Sequence, residues 1–243
     1  WDITSAGVGI GTTTMDYPDV TVGNESLCFS ADAVGSGLLV VRIPLSEIAA
    51  GGTINYQFTN PADSATAYGG HLSQNTGNEV YWLGHVSTSR VRAFSWREGD
   101  GSYFWRDIDI NSWPNSDYSS NAPDGTDWLN FMAGFPGSAV IGATRRLERE
   151  RSEVWFAWTA ARGGGYPHPY VEVLVLDTSS WTVIDQWPIW NPDIAFAYPS
   201  LTTNRDGEVG ISLGWGGNAS YANHAVGILG DFVVWFSELS DAA

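Results

Sequence analysis

The chain has 243 residues and a 43% apolar fraction, enough for one large all-β domain or two small ones with a packed core. Its 13 Trp and 28 Gly, with few helix-forming runs, favour strands joined by tight turns. A net charge of −16 repels phosphate backbones and anionic lipid headgroups, which argues against nucleic acid and membranes as partners.

In chain order, one four-strand unit recurs. Trp1–Gly9 reads as the outer strand of a preceding unit. The first full unit, about 10–60, runs through Tyr17–Val22, Asn24–Phe29, Leu38–Ile43 and Thr53–Thr59. Its Cys28, the single cysteine, permits no internal disulfide and reads as a small buried hydrophobe. The second unit, about 67–112, holds Tyr68–Gln74, Asn78–Trp82, Arg90–Trp96 and Tyr103–Ile110. A long connection, 111–137, follows; its aromatic residues argue against disorder, and its length suggests a lid or an inserted contact surface. The third unit, about 138–190, holds Ala139–Thr144, Ser152–Phe156, Tyr170–Leu176 and Trp181–Trp187. The mixed-charge run Arg145–Arg151 reads as a solvated hairpin. The fourth, about 197–243, holds Tyr198–Thr203, Gly207–Ile211, Ala225–Leu229 and Phe232–Leu239.

In each unit a polar turn residue precedes a glutamate and an apolar strand: Glu25, Glu79, Glu153 and Glu208. These glutamates suggest a structural job at the turns, such as accepting N–H bonds. First strands often begin Tyr-Pro or Tyr-Gly. A radial repeat of short antiparallel strands predicts an all-β β-propeller of about four four-stranded blades. No run holds a helical period, which excludes a helical solenoid. A β-sandwich is the alternative, but it does not predict the same unit four times. The half-unit at 1–9 suggests part of a larger ring, completed by another chain, a cleaved portion of the same precursor or a symmetry mate.

With strands running from the axis outward, second-to-third strand loops and the connections between blades share one face, the top. Ligands of propellers usually gather there, by analogy of fold. Arg162–Tyr170 and Gly214–His224 are two such loops, mixing glycines, aromatics and a histidine. Tyr166, His168, Trp215 and Tyr221 are the candidate ligand contacts, with Arg162 for an anionic group. All four histidines, His71, His85, His168 and His224, map to the inner strand or the top. His71 or His224 is the candidate general base, with an aspartate of the 111–137 loop such as Asp124 as partner. Asp19, Asp32, Asp117, Asp127 and Asp193 supply further top-face carboxylates for glycosidase chemistry, which needs two. No tight ligand spacing marks a metal site, and no cofactor is indicated.

The blade pattern, with the turn Asn204-Arg205-Asp206-Gly207-Glu208, resembles the sialidase-like class of β-propellers, although the Ser-x-Asp-x-Gly-x-x-Trp pattern is lacking. Arg42-Ile43-Pro44 matches the short Arg-Ile-Pro motif of sialidases, whose Arg binds the substrate carboxylate. Here it ends a third strand, away from the axis, and Arg42 is read as structural. The resemblance covers architecture and transfers no catalytic residue. The leading functional expectation is a secreted propeller, extracellular or periplasmic, that binds or hydrolyses a sugar-like or other polar organic ligand. An opening Trp in place of Met reads as a processed end. The alternatives are an assembly subunit completing a ring with a companion chain, and a histidine-based metalloenzyme.

Overall fold

The computed structural model describes residues 1–129, 139–147 and 152–230, with the backbone of 233–236. The first sheet is the antiparallel meander β1 (Met15–Val22), β2 (Ser26–Ala33), β3 (Gly37–Pro44) and β4 (Gln57–Phe58). A short helix, α1 (Leu45–Ala50), joins β3 to β4 and ends at Gly51 in the left-handed region. The second sheet holds β5 (Glu79–Ser87), β6 (Arg90–Arg97) and β7 (Phe104–Asp109). The third holds β8 (Val140–Leu147), β9 (Ser152–Ala160), β10 (Tyr170–Asp177) and β11 (Val183–Ile189). The fourth holds β12 (Ala195–Thr203), β13 (Val209–Gly217), β14 (Ser220–Ile228) and β15 (Val233–Phe236). Successive meanders packed side by side make a β-propeller, not a sandwich of two sheets. The expected outer strand of the fourth blade lies outside the described residues beyond 236, as does the charged run beyond Leu147.

Each sheet between two neighbours is apolar on both faces, which explains the unbroken hydrophobic runs. Along β9, Phe156 and Trp158 face the second blade while Trp155 and Ala157 face the fourth. Between the first two blades, Cys28, Leu38 and Val40 meet Leu72, Trp82, Phe94 and Trp96. The Trp82 and Phe94 rings stack with centroids 5.0 Å apart. Burial of each large side chain contributes about 1.5–3 kcal/mol. Burial holds the Cys28 thiol up to about 12, so it is an inert packing group.

Two expected strands take another form. Trp1–Gly9 is a series of turns, with Val8 amide to Thr4 carbonyl and Gly9 amide to Ala6 carbonyl, each at 3.2 Å. Its small residues fit consecutive turns, and Val8 packs on Leu39, Val41 and Ile43 as a cap on the first blade. Tyr68–Gln74 is not a ladder strand, so the second sheet has three strands. Its amides are shared among neighbours: His71 N–H to Val140, Gln74 N–H to Ala143, Ser73 N–H to Tyr81. The segment thus stitches the second blade to both sides.

Three of the repeated glutamates reach side chains in place of turn amides. Glu79 pairs with Arg97 at 3.3 Å, Glu153 accepts from Trp155 at 3.1 Å, and Glu208 accepts from Asn204 at 2.7 Å. At the first turn the amide acceptor is Glu98 of the second blade, which takes the N–H groups of Glu25 and Ser26 at 2.8 and 2.9 Å.

Backbone approach under the second blade is tight. A Cβ at Gly84 would lie 2.7 Å from Ala67 Cβ and 2.8 Å from Ser64 O. Gly84→Ala is therefore expected to cost about 1–3 kcal/mol in urea unfolding. Gly52→Ala, where a Cβ meets nothing within 4 Å, is expected to stay within about 0.5 kcal/mol.

Candidate functional site

Tyr-Pro at the start of an inner strand makes a bulge. In β1 the register shifts between Asp16 and Asp19, and in β12 between Ala197 and Ser200. Tyr17 and Tyr198, each before a proline, take φ of 47° and 53°. A bulky residue in this region stores about 1–3 kcal/mol of strain, and such strain concentrates at functional sites. The bulge re-aims the side chains that follow it.

In the first blade those side chains are acidic. Asp19 accepts the Leu72 amide at 2.8 Å, and its Oδ2 lies 3.6 Å from His71 Nδ1. Asp32 stands opposite Asp16 across the ladder. Both Asp32 oxygens take the Gly69 N–H, at 2.9 and 2.7 Å. Desolvation pushes the buried Asp32 carboxyl up to about 6; the Gly69 hydrogen bond opposes that rise and the charge of Asp16 adds to it. The His71 side chain is 44% exposed and Asp19 is 14% exposed. The His71 imidazole, partly exposed, thus lies near a fixed carboxylate, Asp19; Asp32, on the next strand, holds the same segment at Gly69, and Tyr17 on β1 is exposed. A carboxylate and an imidazole so arranged can exchange a proton and hold hydroxyl groups.

The other expected site residues are not gathered around His71. Gly214–His224 is no loop: β13 and β14 run to a tight turn at Asn218, which takes φ of 56°. Trp215 accordingly lies buried against the third blade and donates to the His224 carbonyl at 3.1 Å, so it is not an exposed ligand platform. His224 is on the third strand of its blade, with Nε2 2.7 Å from Ser212 Oγ, and not on the axis. Tyr221 follows the same turn, half-buried. Asp124 is exposed and accepts the Thr126 amide at 2.9 Å; it closes its own turn and does not partner a histidine. His85 is buried between Trp113 and Trp158, with centroids 4.9 and 5.0 Å away, and desolvation holds it down to about 3, in its neutral form.

The Arg162–Tyr170 loop does form a surface group. Arg162 donates to Asp117 at 2.7 Å, so its charge is already paired. Tyr166 packs between Tyr170, at 4.4 Å, and Trp190, at 5.4 Å, and His168 lies half-buried two residues on. Beyond the 111–117 stretch, the long connection crosses to the fourth blade. There Trp128 lies over Gly214 and Gly216, where Cβ atoms would be 3.4 and 3.3 Å from its ring. Residues 130–137 of that connection lie outside the described residues. Arg42 is locked as expected for a structural residue. It sits 4.4 Å over the Trp96 ring and donates to the Arg97 and Asp100 carbonyls at 2.5 Å each. Among the described residues no group of three or more His, Cys, Asp or Glu is arranged to hold a metal ion.

No protein-family model and no curated protein matches the sequence. Solved structures do. A Penicillium chrysogenum α-L-arabinanase complexed with arabinobiose superposes with a TM-score of 0.52 at 10% identity, over 87% of this chain and 61% of its own. The NanB sialidase from Streptococcus pneumoniae gives 0.47 at 15% identity, over 77% of this chain and 25% of its own. A Trypanosoma rangeli sialidase gives 0.43 at 10% identity, over 88% and 36%. The likeness to the arabinanase agrees with the β-propeller architecture that the blade pattern suggested and the four sheets form. At these identities the likeness is one of fold, and the chain spans less than two-thirds of each of these structures.

The raised Asp32 pKa has a signed consequence. A carboxyl that titrates near 4 when unfolded and about 6 when folded favours the native state at low pH, and that contribution is lost as pH rises through 6. Asp32→Asn should therefore gain on the wild type by on the order of 2–3 kcal/mol between pH 4 and pH 7.5 in urea melts. Asp177, pulled down to about 2 chiefly by the Ser179 hydroxyl, acts in the opposite sense and only below pH 4.

Proposed function

We propose that the chain is the propeller of a glycan-processing hydrolase, with its site at the inner end of the first two blades. The carrying observation is the pairing of His71 with Asp19, which follows the bulge of the inner strand β1, with the buried Asp32 of β2 holding Gly69 of the same segment. In this reading Asp19, fixed by the Leu72 amide, faces the reacting carbon or its attacking water. His71 carries the proton beside it, and Tyr17 offers a ring face to the sugar. Asp19 thus takes the partner role that sequence alone assigned to Asp124. The negative net charge favours neutral glycans over acidic ones. The arabinanase is complexed with arabinobiose, so arabino-oligosaccharides are the first substrates to try. An extracellular or periplasmic setting belongs to the same proposal, since polymeric glycans lie outside the cell.

Asp19→Asn and His71→Gln should each lower release of reducing sugar from arabino-oligosaccharides by about 100-fold or more, with unchanged thermal unfolding. His224→Gln and Asp124→Asn should leave the rate within about twofold. Equal loss in all four variants, or none in the first two, would reject this site.

A second reading, assembly with further blades, has its own observation. The outward face of β1 exposes Val20 and Val22, at 53% and 56%, and β14 exposes Val226 and Ile228, at 45% and 40%. Such faces ordinarily pack on a neighbouring blade. On this reading, sedimentation of the chain gives a species heavier than 26.3 kDa that Val20→Glu or Val226→Glu dissociates. A 26.3 kDa species at every concentration counts against it.

A further inference from the structure

The blades of a propeller diverge outward, so side chains must grow larger toward the rim to keep neighbours in contact. Between the first two blades Tyr103 does this, with its ring 5.9 Å from Trp96 and 6.2 Å from Trp82. Between the second and third, Trp181 packs 6.0 Å from Tyr81. Between the third and fourth, the described side chains of β14 supply no such ring toward the rim; the side chains of β15 lie outside the described residues. Outer strand β11 turns Asp185, Trp187 and Ile189 toward the fourth blade, in register with Val175, Val173 and Val171. The facing residue on β14 is Gly227, which pairs with Ile211 and contributes no side chain.

The result is a cleft of about 860 Å³ that opens to solvent at the rim. Its volume lies within the ~300–1,000 Å³ of ligand sites. Trp155 and Ile211 form its floor, and Trp187 stands edge-on to Trp155 at 5.5 Å. Trp190, 47% exposed and braced by Tyr166, flanks the mouth with Asn191. Asp185 adds a carboxylate to the rim.

We propose that this cleft is a second, non-hydrolytic binding site for a neutral oligosaccharide. Indole faces match the C–H faces of sugar rings, while Asn191 and Asp185 can take hydroxyl protons. Asp185 and the acidic surface disfavour a charged saccharide. The cleft contains none of Asp19, His71 or Asp32, so it stands apart from the proposed hydrolytic site and serves to hold a polymer on the rim.

The test is calorimetric titration of the full chain carrying Asp19→Asn with arabinotriose, xylotriose and cellotriose. Saturable binding of at least one trisaccharide is expected. Trp187→Ala should weaken it by about tenfold or more, and Gly227→Leu, which fills the cleft from the opposite wall, should abolish it. Native near-ultraviolet dichroism of the Gly227→Leu protein guards against misfolding as the cause. Binding unaffected by Gly227→Leu, or no binding of any of the three, overturns the proposal. So does a concentration-dependent dimer that Gly227→Leu dissolves, since a second copy would then own the cleft. Gly227→Leu in the protein that keeps Asp19 is expected to lose binding at the cleft while hydrolysis of arabino-oligosaccharides stays within about twofold, which separates this site from the axial one; parallel loss of hydrolysis overturns the separation.

Discussion

The amides of residues 68–74 have no regular strand partner, and the carboxylates of the first blade capture two of them. Asp32 holds Gly69 and Asp19 holds Leu72. Buried N–H groups left unpaired would each cost on the order of 1–3 kcal/mol, so these acids are required where they stand. The same requirement fixes His71 against Asp19 and keeps Asp32 out of water. The joint between the first two blades therefore holds both the stitching contacts and a buried carboxyl, Asp32, whose proton affinity is raised by desolvation.

The remaining blades act as the frame. β9 and β10 are buried on both faces, and their alternating side chains clamp the second and fourth blades at once. The long connection spans the third blade and sets Trp128 on the glycines of β13. The turns at 1–9 cap the first blade with Val8. Both terminal faces are thus partly covered by irregular chain, and the apolar residues left exposed on them are the ground for considering further blades.

Much of this was legible in the residues. Apolar runs recurring with polar turns gave the blades, because burial on two faces demands continuous hydrophobic strands. Tyr-Pro at the start of inner strands was visible too, though not that it marks a bulge with tyrosine in the left-handed region; that signal pointed to Asp16 and Asp19. The inner segment of the second blade was misread, since its partners are carboxylates distant in sequence. Trp215 was misassigned because strand faces alternate, and one residue decides between the blade interface and solvent. Gly214, Gly216 and Gly217 look like a loop. The first two instead admit the Trp128 ring, which is what glycine inside a strand often does.

Burial holds the Asp32 proton to about pH 6, and the proposed function sets a sugar close to it, at Asp19 and His71. Carbon-13 NMR titration of the aspartate carboxyls measures this directly, with Asp32 assigned by its Asn variant. The account predicts a midpoint near 6 for Asp32 and a change in the Asp19 and Asp32 signals when arabinotriose is added. An Asp32 midpoint near 4, the ordinary carboxyl value, with signals indifferent to the trisaccharide, would contradict it.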